Sequence, residues 1–439
     1  MAGDPMSKRA AVDAALERIA SPTGQGHLVF TRVYPDAARL AADTADAMDR
    51  LGLELPALAG VPVSIKDLFD VMGEPTTAGS VVLKQAPAAK ADAEAVRRLR
   101  AAGAALVGKT NMTEFAFSGL GLNPHYGTPL NVWDRAAGRI PGGSSSGAAI
   151  SITDGMADAA VGTDTGGSCR IPAALNGIVG LKPSAQSVPT AGALPLSSSY
   201  DSIGPLARTV EMCARVYAVL SNTRPALNPA QTHQLRLGVA RNYVLEQMDC
   251  AVEKAYQSAL TRLSRAGATL CDVSLATLDE LPALFANGGL VAAEAYEWHR
   301  QLLESQGDNY DPRVAVRIRR GALLAPADYV GIQKLRRALI AWWCSETSTF
   351  DAILMPTVPI IAPRLQELED DAVYGQTNLL MLRNPTIVNA LDGCAISVPC
   401  HNVGDAPVGL MIACRNGEDA KLLNIARALE DVLQPGWCR

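Results

Sequence analysis

The chain has 439 residues, 48% of them hydrophobic, and a formal net charge of −5 at pH 7. That length and apolar content allow a large buried core, while the near balance of charge offers no footprint for nucleic acid or an anionic membrane. Nine cysteines, scattered from Cys169 to Cys438 without repeated close pairing, are expected as free thiols of a reducing compartment, and no run of about 18 apolar residues suggests a membrane span.

From the N-terminus, the first residues mix charges into an amphipathic helical pattern without an uninterrupted apolar stretch. No secretory leader is therefore expected, and the default is a soluble cytoplasmic protein. Asp36–Leu53 has the spacing of an amphipathic helix, so that roughly residues 1–55 form an N-terminal helical segment. Val61–Ile65 reads as a strand, Asp92–Ala102 as a helix closed by Gly103, and Ala104–Val107 as a buried strand. Ser145–Thr153 predicts a helix, and Ala157–Val161 an apolar run leading into a second glycine-rich turn. Lys182–Pro205, rich in Ser, Pro and Gly, reads as an irregular segment wrapping over the site. Beyond it, Leu235–Ala240, Val252–Ala266 and Ala268–Val273 continue the alternation, followed by a long helical region through Glu294 and His299 and another at Tyr329–Cys344. Strands at Ala352–Leu354, Ala395–Val398 and Val408–Ile412 precede a final helix near Ala420–Leu433. This alternation predicts an α/β fold in one compact unit spanning residues 1–439.

The chemistry concentrates in two glycine-rich turns, P-G-G-S-S-S-G at Pro141–Gly147 and T-D-T-G-G-S-C-R at Thr163–Arg170. Paired glycines ahead of a serine let the backbone turn sharply and gather N–H groups around whatever the hydroxyl attacks. Alone, Ser144–Ser146 would read as a loop or helix N-cap, and Lys66 as a solvated lysine. The place of Lys66 at the end of an apolar strand, just before Asp67, argues against solvation. Asp164 and Arg170 bracket the second turn and read as a buried brace, since neither can replace a base or a hydroxyl.

Together with V-P-V-S-I-K-D at Val61–Asp67, G-K-T-N-M-T-E-F at Gly108–Phe115, Y-D-S-I-G-P-L-A-R at Tyr200–Arg208 and A-I-S-V-P-C near the end, these turns resemble the amidase signature family over most of the chain. The resemblance implies a mixed β-sheet covered on both sides by helices. It also implies a Ser–Ser–Lys triad, with Ser168 as nucleophile, Ser144 as the bridging serine after a cis peptide bond, and Lys66 as base. N–H groups of Thr165, Gly166, Gly167 and Ser168 are expected to hold the oxyanion, with Ser145 in support. Met112, His125, Tyr126 and the segment Ala191–Tyr200 are expected as pocket walls. For Lys66 to act as a base near pH 7, its pKa must fall by roughly three units from about 10.4, which burial supplies. Cys169 departs from the family pattern, where a branched aliphatic residue is usual, and reads as a packing residue.

The activity so implied is hydrolysis of a small carboxamide or aryl amide to a carboxylate plus ammonia or an amine, with no metal or organic cofactor, in a homodimer. The alternatives are the glutaminase component of a tRNA-dependent amidotransferase and an allophanate-type hydrolase. A different class is raised by G-A-A-L-V-G-K-T at Gly103–Thr110, which satisfies the phosphate-loop pattern. It follows a helix and fills its variable positions with strand-like residues, so nucleotide binding through it is not expected. The five histidines show no metal-ligand spacing.

Overall fold

Eleven strands among the described residues form one mixed sheet. They are β1 (Phe30–Val33), β2 (Pro62–Lys66), β3 (Ala105–Thr110), β4 (Ala159–Asp164), β5 (Val179–Lys182), β6 (Ser202–Ala207), β7 (Arg236–Ala240), β8 (Thr269–Val273), β9 (Ala352–Pro356), β10 (Cys394–Pro399) and β11 (Gly409–Cys414). The structure is a computed structural model and describes residues 7–223 and 227–433. Cys438 and the start of the expected N-terminal segment lie outside those residues. The strand order is β1-β3-β2-β4-β6-β5-β10-β11-β9-β7-β8. β3, β2 and β4 run parallel to one another, and β4 pairs antiparallel with β6.

Most strands are buried on both faces, which is why they read as apolar runs rather than as alternating patterns. Along one face, Leu354, Ile396 and Ile412 join a core with Val96 and Leu99 of helix Glu94–Ala101, Tyr256 of helix Cys250–Arg265 and Leu429 of helix Asp419–Leu433. The alternate residues Ile353, Ala395 and Met411 face the other way, onto Leu339 and Trp343 of helix Pro326–Glu346 and Ile387 of helix Asp371–Ala390. The mixed sheet with helices on both sides is the architecture expected.

Several elements differ from the sequence reading. The N-terminal region is helical at Lys8–Ala20 and Pro35–Arg50 but also supplies the edge strand β1, whose four residues are too short to declare a period. The segment expected to be irregular as far as Pro205 already enters β6 at Ser202, in the middle of the sheet. Gly204 and Pro205 look like a turn in sequence, yet Gly204 is there because a Cβ would lie 2.0 Å from the Leu181 carbonyl oxygen. Helix Asp371–Ala390 is hidden in the sequence by Pro385 in its interior. Its start is fixed by Asp370, whose side chain accepts from the N–H groups of Ala372 and Val373.

The phosphate-loop string has a structural use. Gly103, with φ of 78°, follows helix Glu94–Ala101, and Gly108–Thr110 lie inside β3. Lys109 is 2% exposed, with its ammonium 2.9 Å from Asp67 Oδ1. Removing one partner of a buried pair leaves an uncompensated charge, so Lys109→Met is expected to lower unfolding free energy by about 3–5 kcal/mol. Denaturant titration checks this.

Candidate active site

β2 ends on Lys66 and its parallel neighbour β4 ends on Asp164, so the carboxyl ends of both strands open onto the same region. Lys66 is fully buried. Its Nζ donates to Ser144 Oγ at 2.7 Å and to Thr163 Oγ1 at 2.8 Å. Burial disfavours the ammonium form and pulls its pKa down from 10.5 to about 8, against the opposing charges of Asp201 and Asp164. The Gly143–Ser144 peptide bond is cis.

The two serine turns are tied together: the Ser145 N–H donates to the Ser168 carbonyl at 3.3 Å, and Ser145 Oγ donates to the Thr163 carbonyl at 3.4 Å. Helix Ser146–Thr153 then packs its Ala148 and Ala149 against Ala160 of β4 and Leu206 of β6, fixing the first turn to the sheet. Ser168, only 3% exposed, lines a cavity of about 670 Å³. Among the described residues its hydroxyl makes no hydrogen bond, and Lys66 and Ser144 are the two triad candidates in direct contact.

The second turn is held from within by Asp164. Its carboxylate accepts from the Gly167 N–H at 2.9 Å, the Cys169 N–H at 3.1 Å, and Arg170 Nη2 and Nε at 2.8 and 3.0 Å. Asn389 completes the brace, donating to Asp164 Oδ1 at 3.0 Å and accepting from Arg170 Nη2 at 2.6 Å. Burial alone would raise the Asp164 pKa, but the Arg170 charge and the bonds from Arg170 and Asn389 outweigh it and hold the group at about 2. The Gly167 N–H, expected among the oxyanion donors, is thus turned inward to Asp164. Those of Thr165, Gly166 and Ser168 have no acceptor among the described residues. Gly167 adopts φ of 120°, and a Cβ there would lie 2.4 Å from Pro385 Cβ, so the helix carrying Asn389 presses directly on the turn.

Thr165 Oγ1 donates to Asp201 Oδ1 at 2.5 Å, and Asp201 Oδ2 accepts the N–H groups of Leu196 and Ser197. The segment before β6 is thereby anchored to the nucleophile turn, and Leu196 reaches the cavity. Cys169 is fully buried with its thiol 3.5 Å from the Gly204 carbonyl, and burial pushes its pKa up.

Met112, His125 and Tyr126 do not line this cavity. Met112 is fully buried. The turn carrying the other two folds back on Asn123, whose Oδ1 accepts the N–H groups of His125 and Tyr126 at 2.8 and 3.0 Å. His125 Nε2 then meets Glu114 Oε1 at 2.8 Å, a contact that raises its pKa. The walls come from Phe117, Phe285, Val291, Leu379 and Leu382 instead. Sequence reading also passes over Thr163 and Asn389. Thr163 is visible in the second motif, but nothing local marks Asn389 as a partner of Asp164, 225 residues away.

Residues 10–423 match the Amidase family profile. The chain is 37% identical to a 2-amino-5-chloromuconic acid deaminase of Comamonas testosteroni, over 91% of this chain and 87% of that protein. It is also 37% identical to the GatA-type component of the glutamyl-tRNA(Gln) amidotransferase of Anaeromyxobacter sp. (strain K), over 99% and 95% of the two chains. A solved amidase crystal structure superposes with a TM-score of 0.87 at 33% identity, covering 98% of this chain and 96% of that one. Relatives so similar over nearly the whole length, joined to this fold, make the protein an amide-cleaving hydrolase: the chain belongs to the amidase signature family.

Proposed function

We propose that the protein hydrolyses a small carboxamide or aryl amide through an acyl-enzyme on Ser168. The observation that carries this reading is the buried Lys66 ammonium, paired with two hydroxyls rather than with a carboxylate. Neutral Lys66 takes a proton from Ser144 as Ser144 takes one from Ser168, and Ser168 Oγ bonds to the amide carbonyl carbon. The free N–H groups of Thr165, Gly166 and Ser168 stabilise the oxyanion of the tetrahedral intermediate, each worth roughly 3–4 kcal/mol if lost. The proton returns through Ser144 to the amide nitrogen, the carbon–nitrogen bond breaks, and amine or ammonia departs. Water then attacks the ester along the same relay, releasing the carboxylate and restoring Ser168.

Ser168→Ala is expected to lower kcat by about 10⁶-fold, as loss of a nucleophile from a catalytic unit does. With wild-type protein, intact mass spectrometry of the quenched reaction should find an acyl adduct on the peptide containing Ser168. An adduct elsewhere, or undiminished turnover by Ser168→Ala, overturns the reading. The amidotransferase relative supports a second one, a glutaminase that serves a partner chain. Ammonia release from glutamine but from no simple amide, in the isolated chain, would select it.

A further inference from the structure

We infer that the cavity takes an amide whose far end carries a carboxylate, and that Arg320 and Arg383 are the residues that select it. The inference rests on the amidase reading and names the substrate class of that same site. Three guanidiniums, Arg317, Arg320 and Arg383, line the cavity with Ser168, against one carboxylate, Glu246. None of the three forms an ion pair among the described residues. Arg313, one turn before Arg317 on helix Pro312–Arg319, shows the contrast, for it points to Asp371 at 2.7 Å.

The bonds that the cavity arginines do make go to neutral oxygens and leave donors over. Arg317 Nη1 donates to the Phe117 carbonyl at 2.8 Å. Arg383 Nη2 donates to the Val244 carbonyl at 3.0 Å and its Nε to Asn384 Oδ1 at 3.0 Å. Arg320 makes no hydrogen bond among the described residues. Each guanidinium has five N–H donors in a planar fork that fits a carboxylate. Burial pulls the Arg383 pKa below its ordinary value, although Tyr243 and Glu246 act in the other direction.

Like charges gathered on one wall repel each other, and an arriving anion relieves that repulsion. Arg320 lies just after helix Pro312–Arg319, and Arg383 lies on helix Asp371–Ala390, so two separate elements contribute charge to one space. Between them and Ser168 the lining is apolar, including Leu379, Leu382 and Phe285. The ligand that fits has an amide at one end, a hydrocarbon spacer and an anionic oxygen pair at the other.

The test compares, on the full chain, ammonia release from a dicarboxylic acid monoamide and from its analogue with a methyl ketone in place of the free carboxylate. Wild type should prefer the anionic amide in kcat/KM by roughly 10- to 100-fold, the scale of a charge-assisted hydrogen bond. That ratio should fall toward unity in Arg320→Ala and Arg383→Met, and drop below unity in Arg320→Glu. A ratio within each variant cancels any general loss of activity. Equal turnover of both amides by wild type, or an unchanged ratio in both neutralising variants, overturns the inference and leaves the amidase reading intact. Calorimetry of glutarate with Ser168→Ala separates the two claims: binding that weakens at least tenfold on adding Arg320→Ala supports the charge site even if no amide is hydrolysed.

Discussion

Lys66→Met is expected to reduce kcat/KM by about 10³-fold, within the range by which a positioned base accelerates proton transfer. The methionine occupies nearly the same volume, so the buried site stays filled while the nitrogen that bonds Ser144 and Thr163 is gone. The wild-type profile carries the more specific signature. With its pKa drawn down to about 8 by burial, Lys66 is mostly protonated at pH 7, and activity should rise about tenfold per pH unit until it levels above pH 8. In Lys66→Met that rising limb should vanish, and residual activity should be flat across it. Lys182 is the control, because it too is buried and drawn down to about 8, first by burial and then by the charge of Arg170. Its Nζ donates to the carbonyls of Pro183 and Gly393, both at 2.8 Å, and it does not line the cavity. Persistence of the limb in Lys66→Met would assign it elsewhere and remove the proposed base.

Both lysines also tie stability to pH. Each has a folded-state pKa near 8 against an ordinary value of 10.5, so between those limits the unfolded chain binds more protons. Stability contributed by these groups therefore rises with pH across that window. Lys66→Met should flatten part of that rise, measurable by denaturant titration at several pH values.

What can be read in the sequence follows from how local each signal is. The order of strands and helices near the two turns is visible because β2, β3 and β4 are apolar runs bounded by glycine or by capped helices. Lys66, Ser144 and Ser168 stand out because each belongs to a short motif. The supporting shell is hidden, because its residues come from distant chain and meet only in three dimensions. Asn389 meets Asp164 across 225 residues, and the helix that brings it is masked by Pro385. Spacing groups the Gly167 N–H with the oxyanion donors because it cannot tell which way an amide points; the Asp164 carboxylate beneath it decides. Likewise Met112, His125 and Tyr126 adjoin motif residues in sequence, but the Asn123 side chain turns the loop carrying the last two back on itself and away from the cavity. The cavity arginines give no signal, since an arginine aimed at a cavity and one paired at the surface read identically in a string.

Arg170→Met is expected to cost about 3–5 kcal/mol of stability near neutral pH, because it leaves Asp164 charged and buried without its cation. Both side chains are completely buried. Arg170→Lys should recover little, since an ammonium cannot reproduce the two bonds to Asp164 together with the third to Asn389. The deficit should depend on pH in a stated direction. In the wild type the Asp164 pKa lies at about 2, below its ordinary 3.8, so its contribution is full above pH 4 and is lost as pH falls toward 2. Without Arg170, burial dominates and carries the Asp164 pKa above the ordinary value, so the folded variant now binds the extra proton. Its stability relative to wild type should accordingly improve on acidification from pH 7 toward pH 4, the reverse of what a simple packing defect would give. Activity should stay low even where lower pH or added osmolyte restores stability, because the same carboxylate orients the Gly167 and Cys169 N–H groups on either side of Ser168. A deficit independent of pH would mean that Arg170 supports the turn by filling space, and that the charge pair beneath Ser168 is not what holds the nucleophile in place.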